Sequence, residues 1–335
     1  MFRLVYVFIT FLLSSALPVL ASGDFSVGFL KIEVTSNETN THFPMAVVYP
    51  THVPSRSVKF GPFKMELSIG SAIAEGAFPL VVISHGSSGS NLGHRSIAFA
   101  LVKQGFIVAM PLHPEDNYKN NSAQGSVNNW KNRPLHIRST IDSLMLAPAL
   151  APSIDVDKVA VIGHSAGGYS ALAVAGGVAN TRHIIELCES SPQLNAPFCG
   201  LVKDHQLMPV EIKNKRDERV KALVLMAPVG ILFKSKDALA AVDIPTLLLR
   251  AEKDSELVEP YQSEVIARNF KNKKMLSYQT IENAGHFSFI TPFPDAIKND
   301  VGIVAQDPEG FNRQAFHQEL GATVTDYLGS VLNNK

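Results

Sequence analysis

The stretch Val159-Ala160-Val161-Ile162-Gly163-His164-Ser165-Ala166-Gly167-Gly168 decides the fold. Its apolar opening reads as a strand buried on both faces, the kind found in parallel sheets. The small residues that follow permit a tight turn, and Ala166 to Ala175 can run as a helix. Strand, tight turn and helix around a GxSxG pattern is the setting that projects a serine hydroxyl from a strained backbone, with the helix N-terminus behind it. The flanking glycines are required because side chains there would strike the neighbouring strand and helix.

Working outward, the same kind of apolar run recurs at Phe78 to Ser84, Phe106 to Met110, Val220 to Ala227 and Thr246 to Arg250, with a last strand at Lys274 to Ile281. Helical spacing appears at Ile97 to Gln104, Arg138 to Leu150 and Pro308 to Leu332. Ahead of these, Phe29 to Val34 and Met45 to Tyr49 suggest an antiparallel hairpin. The alternation predicts an α/β fold, with a mostly parallel central sheet and helices on both faces. Residues 181–219 break the rhythm with Pro192, Pro197, Pro209 and both cysteines, and are expected to form an inserted cap over the ligand-entry edge of the sheet.

The first residues stand apart. Arg3, the apolar run Leu4 to Leu13 and the small residues Ala21, Ser22 and Gly23 have the order of a secretory signal peptide, with cleavage expected after Ala21. Residues 1–21 are then a leader and 22–335 one domain, exported to the periplasm or secreted, with no stable membrane span after cleavage. In an exported chain Cys188 and Cys199 are expected to form a disulfide; two buried free thiols are the alternative.

Composition removes several function classes. The 335 residues carry 30 Lys plus Arg against 30 Asp plus Glu, and no basic stripe, so nucleic acid is not an expected partner. The Gly-rich stretch Gly86 to Gly93 lacks the Lys and Ser/Thr of a phosphate loop. His113 and Asp116 have no evident third ligand, so no metal is expected, and no cofactor is implied.

A serine hydroxyl needs a base, and the base needs an acid to orient it; in elbow proteins the chain order is Ser, then Asp or Glu, then His. Four of the 11 histidines follow Ser165: His183 and His205 fall in the cap segment, His317 in the closing helix, and His286 in a loop just beyond the last strand. His286 is therefore the candidate base. Asp254 follows the strand Thr246 to Arg250 at its C-terminal end and is the candidate acid, with Glu252 its competitor. Oxyanion donors are expected from the backbone N–H groups of Ala166 and of Ser87, with Ser88 the alternative to Ser87. His85 and His164 read as packing or hydrogen-bonding residues.

Taken together, HG after the first buried strand, GHSAGG at the elbow, and Asp254 and His286 in order, the chain resembles the α/β-hydrolase superfamily over most of residues 30 to 330. Within it, the stretch His113 to Tyr118, then Asn129, Trp130, Arg133 and Pro134, and the ending AGHFSF with GFNRQAFHQEL, are similar to exported bacterial proteins called predicted dienelactone hydrolases, a group similar to platelet-activating-factor acetylhydrolases. True dienelactone hydrolases carry a cysteine nucleophile where this chain has Ser165. The resemblance implies a serine hydrolase acting on a small-molecule or lipid carboxylic ester through an acyl-enzyme. The alternatives are a lipid-directed acylhydrolase, a peptidase of the same fold, and a binding protein on the hydrolase scaffold. Oligomeric state and the natural ester are not written in these residues.

Overall fold

The computed structural model describes residues 25–191, 198–203 and 207–333. The expected leader 1–21 and His205 lie outside these residues. Twelve strands occur among the described residues: β1 (Ser26–Ser36), β2 (Thr41–Thr51), β3 (Arg56–Phe60), β4 (Phe63–Ile69), β5 (Phe78–Ser84), β6 (Ile107–Pro111), β7 (Ile154–His164), β8 (Val178–Asn180), β9 (Glu211–Lys213), β10 (Val220–Met226), β11 (Thr246–Ala251) and β12 (Leu276–Ile281). Eight α-helices accompany them: α1 (Arg95–Lys103), α2 (Val127–Leu146), α3 (Ala166–Val174), α4 (Arg182–Ser190), α5 (Cys199–Lys203), α6 (Ser263–Asn269), α7 (Asp295–Val301) and α8 (Arg313–Asn333).

Ten strands form one sheet in the order β12-β11-β10-β7-β5-β6-β2-β1-β4-β3. Pairing is parallel from β12 to β6, and the β1–β2 hairpin joins antiparallel through β2. The fold is the expected α/β arrangement. Two-residue alternation distributes each strand between two cores. Leu80 and Val82 of β5 and Val159 and Val161 of β7 pack with α2 and α3, whereas Val81, Ile83, Ala160 and Ile162 pack with α1 and α8. Helices therefore cover both faces, and β5 and β7 lie side by side, which brings the ends of both strands to one place.

Two differences from the sequence expectation bear on the site. The helix expected from Arg138 begins 11 residues earlier, at Val127, where Ser126 caps it by accepting from the Asn129 N–H at 3.1 Å. Pro134 sits inside it. Proline removes the donor that would bond the carbonyl four residues back. That carbonyl, of Trp130, instead accepts from the Tyr169 hydroxyl at 2.7 Å, so the helix continues through the proline. The second difference is the β3–β4 hairpin, an edge ribbon that carries Phe60 and Phe63 at its turn.

Residues 181–219 hold α4, α5 and β9, and β9 pairs with β8 in a separate two-stranded sheet. A Cys188–Cys199 disulfide ties α4 to α5. Among the described residues no helix is long and apolar enough to cross a membrane.

Candidate active site

Ser165 occupies the turn between β7 and α3 with φ +56° and ψ −120°, a left-handed backbone that a non-glycine residue adopts only under strain. The Gly163 and Gly167 positions make the turn possible. A Cβ on Gly163 would lie 2.1 Å from the Gly167 carbonyl oxygen, and one on Gly167 would lie 1.9 Å from the Ser84 carbonyl oxygen. Neither distance is physically tolerable. Three backbone N–H groups, of Gly168, Tyr169 and Val229, converge on the Ser165 carbonyl and hold the turn.

The structure brings His286 and Asp254 together. His286 Nδ1 lies 2.7 Å from Asp254 Oδ2, and both side chains are almost wholly shielded from water. The other carboxylate oxygen, Oδ1, accepts from the N–H groups of Glu256 at 2.9 Å and Leu257 at 2.7 Å. Both oxygens thus have fixed donors, and the His286 ring is aimed from behind. Glu252 does something else: it accepts from the Asn283 N–H at 2.7 Å and braces the loop ahead of His286. Ser165 and His286 line the same cavity, of about 770 Å³.

His286 opens a short 3-10 turn, His286–Phe289, held by three further imidazoles. The His164 Nε2 donates to the His286 carbonyl at 3.0 Å, His94 Nδ1 to the Phe289 carbonyl at 3.0 Å, and His317 Nε2 to the Ser288 carbonyl at 3.0 Å. Burial pushes all three down, His94 and His317 to about 4 and His164 well below the ordinary imidazole value. They are neutral donors at pH 7. His183 lies on α4 and contacts Glu186 and Ser235.

The two expected oxyanion donors lie on separate segments, Ser87 in the loop after β5 and Ala166 at the start of α3. The N–H of Ser87 donates to no acceptor among the described residues, nor does that of Ala166 at the start of α3. The Ser88 N–H, the alternative, is engaged by Asp116 Oδ1 at 2.9 Å. His85 is likewise engaged: its Nδ1 donates to the Gly86 carbonyl at 2.7 Å and its Nε2 accepts from the His113 N–H at 3.1 Å. Burial drives it down to about 3.

Sequence reasoning named the residues behind that loop but missed their pairing. Asp116 and Arg133 form an ion pair at 2.7 Å with both side chains fully buried. Asp116 also accepts from the Asn129 amide at 2.7 Å, and His113 turns away to Ser84 Oγ at 2.8 Å. Burial alone would raise the Asp116 carboxyl, but Arg133, Asn129 and the Ser88 N–H outweigh it and hold it below its usual value. The signal lay in the spacing of Asn129 and Arg133, one helical turn apart, but only once the helix is started before Pro134.

The rest of the cavity is largely apolar. Phe60 and Phe63 from the β3–β4 turn, Leu92, Phe198, Leu257, Phe287 and the α7 side chains Ile297 and Val301 face it, and among the described residues Glu256 is the one acidic and Arg95 the one Lys or Arg side chain on its wall.

Against known proteins, the chlorophyllase family model matches residues 15–230, well over half of the chain. The chain belongs to the chlorophyllase family. Membership makes it a carboxylic ester hydrolase. Among solved structures it is similar to a ferulic acid esterase from Streptomyces cinnamoneus, with a TM-score of 0.59 at 17% identity over 96% of this chain and 93% of that one. At that identity the likeness describes the shared fold. No curated protein matches this chlorophyllase-family chain.

Proposed function

We propose that the chain is a serine hydrolase of apolar carboxylic esters, working through an acyl-enzyme on Ser165. The observation that carries this reading is the shielded Asp254–His286 hydrogen bond of 2.7 Å, opening onto the cavity that Ser165 lines from a strained turn.

The chemistry proceeds in two halves. His286 Nε2 takes the proton of Ser165 as the hydroxyl oxygen attacks the ester carbonyl, and Asp254 stabilises the imidazolium that forms. The N–H groups of Ala166 and Ser87 hold the negative oxygen of the tetrahedral intermediate, each worth about 3 kcal/mol if donors of this kind are typical. The imidazolium returns its proton to the departing alcohol oxygen as the carbon–oxygen bond breaks. Water then repeats the sequence on the acyl-enzyme, releasing the acid and restoring Ser165.

The family's name points to chlorophyll and the structural neighbour's to ferulic acid esters. The cavity supports an ester with a sizeable apolar portion, because most of the exposed wall is apolar and would bury such a group favourably. This favours a lipid-like ester over a peptide. Phe198, beside Cys199, lines the cavity, which supports reading residues 181–219 as a cap. The disulfide suits an oxidising compartment and supports export.

Labelling with a fluorophosphonate probe tests the reading. A covalent adduct on Ser165, lost in Ser165→Ala together with p-nitrophenyl ester hydrolysis while the fold is kept, is expected. Undiminished turnover by Ser165→Ala, or no adduct, refutes it.

A further inference from the structure

Resting on the serine-hydrolase reading, we propose that Arg133 and Asp116 are positioning residues that fix the spacing between the two oxyanion donors, Ser87 and Ala166. The two donors belong to separate pieces of chain. One lies in the loop after β5 and the other begins α3. An oxyanion hole works only if both N–H groups stay aimed at one point when charge develops, since their advantage over water is that they need not reorganise.

The Arg133 guanidinium reaches both pieces. On the loop side its Nη2 donates to the His85 carbonyl, and its Nη1 donates to Asp116 Oδ2 at 2.7 Å, while Asp116 Oδ1 accepts from the Ser88 N–H at 2.9 Å. Ser87 is thus clamped from the carbonyl two residues before it and from the N–H directly after it. On the helix side Arg133 Nε donates to Ser170 Oγ at 3.1 Å, and that hydroxyl donates to the Ala166 carbonyl at 2.8 Å. One rigid, planar group therefore spans the gap between the donors, from a helix that itself contributes nothing to the cavity wall near Ser165. The fork is the feature that matters: a guanidinium presents donors in several fixed directions, whereas an ammonium is a point charge on a flexible stem. Neither Arg133 nor Asp116 lines the cavity, so their effect on turnover must act through the backbone they hold.

Arg133→Lys and Ser170→Ala separate this role from a merely structural one. The first keeps the buried charge beside Asp116 but cannot serve His85 and Ser170 together; the second cuts only the link to Ala166 and introduces no charge. Each is compared with wild type for kcat, KM, thermal midpoint and the inhibition constant of a trifluoromethyl ketone, which forms an oxyanion on the serine. Expected is a fall in kcat of about 30-fold for Arg133→Lys and about fivefold for Ser170→Ala, with KM within about threefold and the ketone's inhibition constant rising in parallel with the loss in kcat/KM, as loss of interactions made only in the transition state requires.

Folded Arg133→Lys with kcat and ketone affinity within about twofold of wild type overturns the proposal, since loss of even part of one oxyanion donor exceeds that. Should Arg133→Lys fail to fold, Ser170→Ala decides alone: unchanged kcat and ketone affinity overturn the proposal, and a parallel fall at constant KM supports it. Fluorophosphonate labelling of the wild type keeps the two ideas apart. An unlabelled wild type overturns the serine reading and the positioning role with it, whereas a labelled wild type beside unaffected variants overturns the positioning role alone.

Discussion

His286 Nδ1 and Asp254 Oδ2 face each other at 2.7 Å, while Asp254 Oδ1 is already committed to the backbone N–H groups of Glu256 and Leu257. The division of labour between the two carboxylate oxygens determines what an amide would do in their place. In Asp254→Asn the carbonyl oxygen must take the Oδ1 position, because two N–H donors point there, and the NH₂ must then face His286. A donor facing Nδ1 forces that nitrogen to accept, which moves the ring proton to Nε2 and removes the base. Asp254→Asn is expected to fold normally and to lose about 10³–10⁴-fold in kcat, the size of effect a wrong tautomer produces in related triads. Steady-state kinetics with a p-nitrophenyl ester checks this; a loss below about tenfold would mean that Asp254 does not set the tautomer.

Gly167 abuts the Ser84 carbonyl so closely that even one methyl group has no place. With the new Cβ 1.9 Å from that oxygen, either α3 or the end of β5 must move, and both carry the proposed oxyanion donors or their supports. Gly167→Ala is expected to lose about 3 kcal/mol or more of stability, at the upper end of overpacking costs. Hydrolysis should fall further than the fraction of folded protein does. Urea unfolding monitored beside activity measures both, and a variant as stable and as active as wild type would contradict the packing described.

These two sites show what the chain made readable. The strands β5, β6, β10 and β11 and the Val159 to His164 half of β7 are buried on both faces almost throughout, so their sequences are nearly continuous apolar runs. The strained turn needs glycines at fixed offsets, and the order of Ser165, Asp254 and His286 follows from which strand ends meet at one edge of the sheet. What stayed hidden obeys other rules. β3 and β4 form an edge ribbon whose charged residues, Lys59, Lys64 and Glu66, mask any apolar run. Pro134 conceals the first half of α2, because the hydrogen bond it removes is replaced by Tyr169, 35 residues along the chain. Asp116 entered only as a metal candidate and Arg133 only through the resemblance, because the ion pair that gives them a role exists only once tertiary structure buries them against each other.

The turn carrying His286 depends on three imidazoles that stay neutral because they are buried. For His94 and His317 the folded value is about 4, against about 6.5 for an exposed imidazole, so the unfolded chain binds protons first as pH falls. A base depressed in the fold contributes its full share of stability above the unfolded value and loses it progressively between about pH 6.5 and pH 4. Each such histidine withdraws on the order of 1–2 kcal/mol by pH 5. The thermal midpoint is expected to be level from pH 8 to 7 and to drop steeply between pH 6.5 and 5. His94→Gln, which keeps a donor near the Phe289 carbonyl without a titrating ring, should shallow that slope. A midpoint that does not change down to pH 5 would rule out this account.

The disulfide bears on the cavity through its neighbour. Cys199 follows Phe198, whose ring stands edge-on to Trp130 at 5.3 Å and forms part of the cavity wall. Trp130 is itself anchored, its Nε1 donating to the Gly125 carbonyl at 3.0 Å, so the contact has one rigid side and one side tethered through Cys188 and α4. Closing a loop of 11 residues' separation removes chain entropy worth about 3 kcal/mol in the unfolded state. In the double variant Cys188→Ala/Cys199→Ala, stability should fall by up to that amount. With Phe198 free to swing, apolar substrate loses a wall that the reacting atoms do not touch. KM for esters with long apolar chains should therefore rise severalfold, while kcat for p-nitrophenyl acetate, which has no long apolar chain to rest on that wall, stays near that of the wild type. Equal losses on short and long esters would place the disulfide's effect on the catalytic groups instead of on the wall.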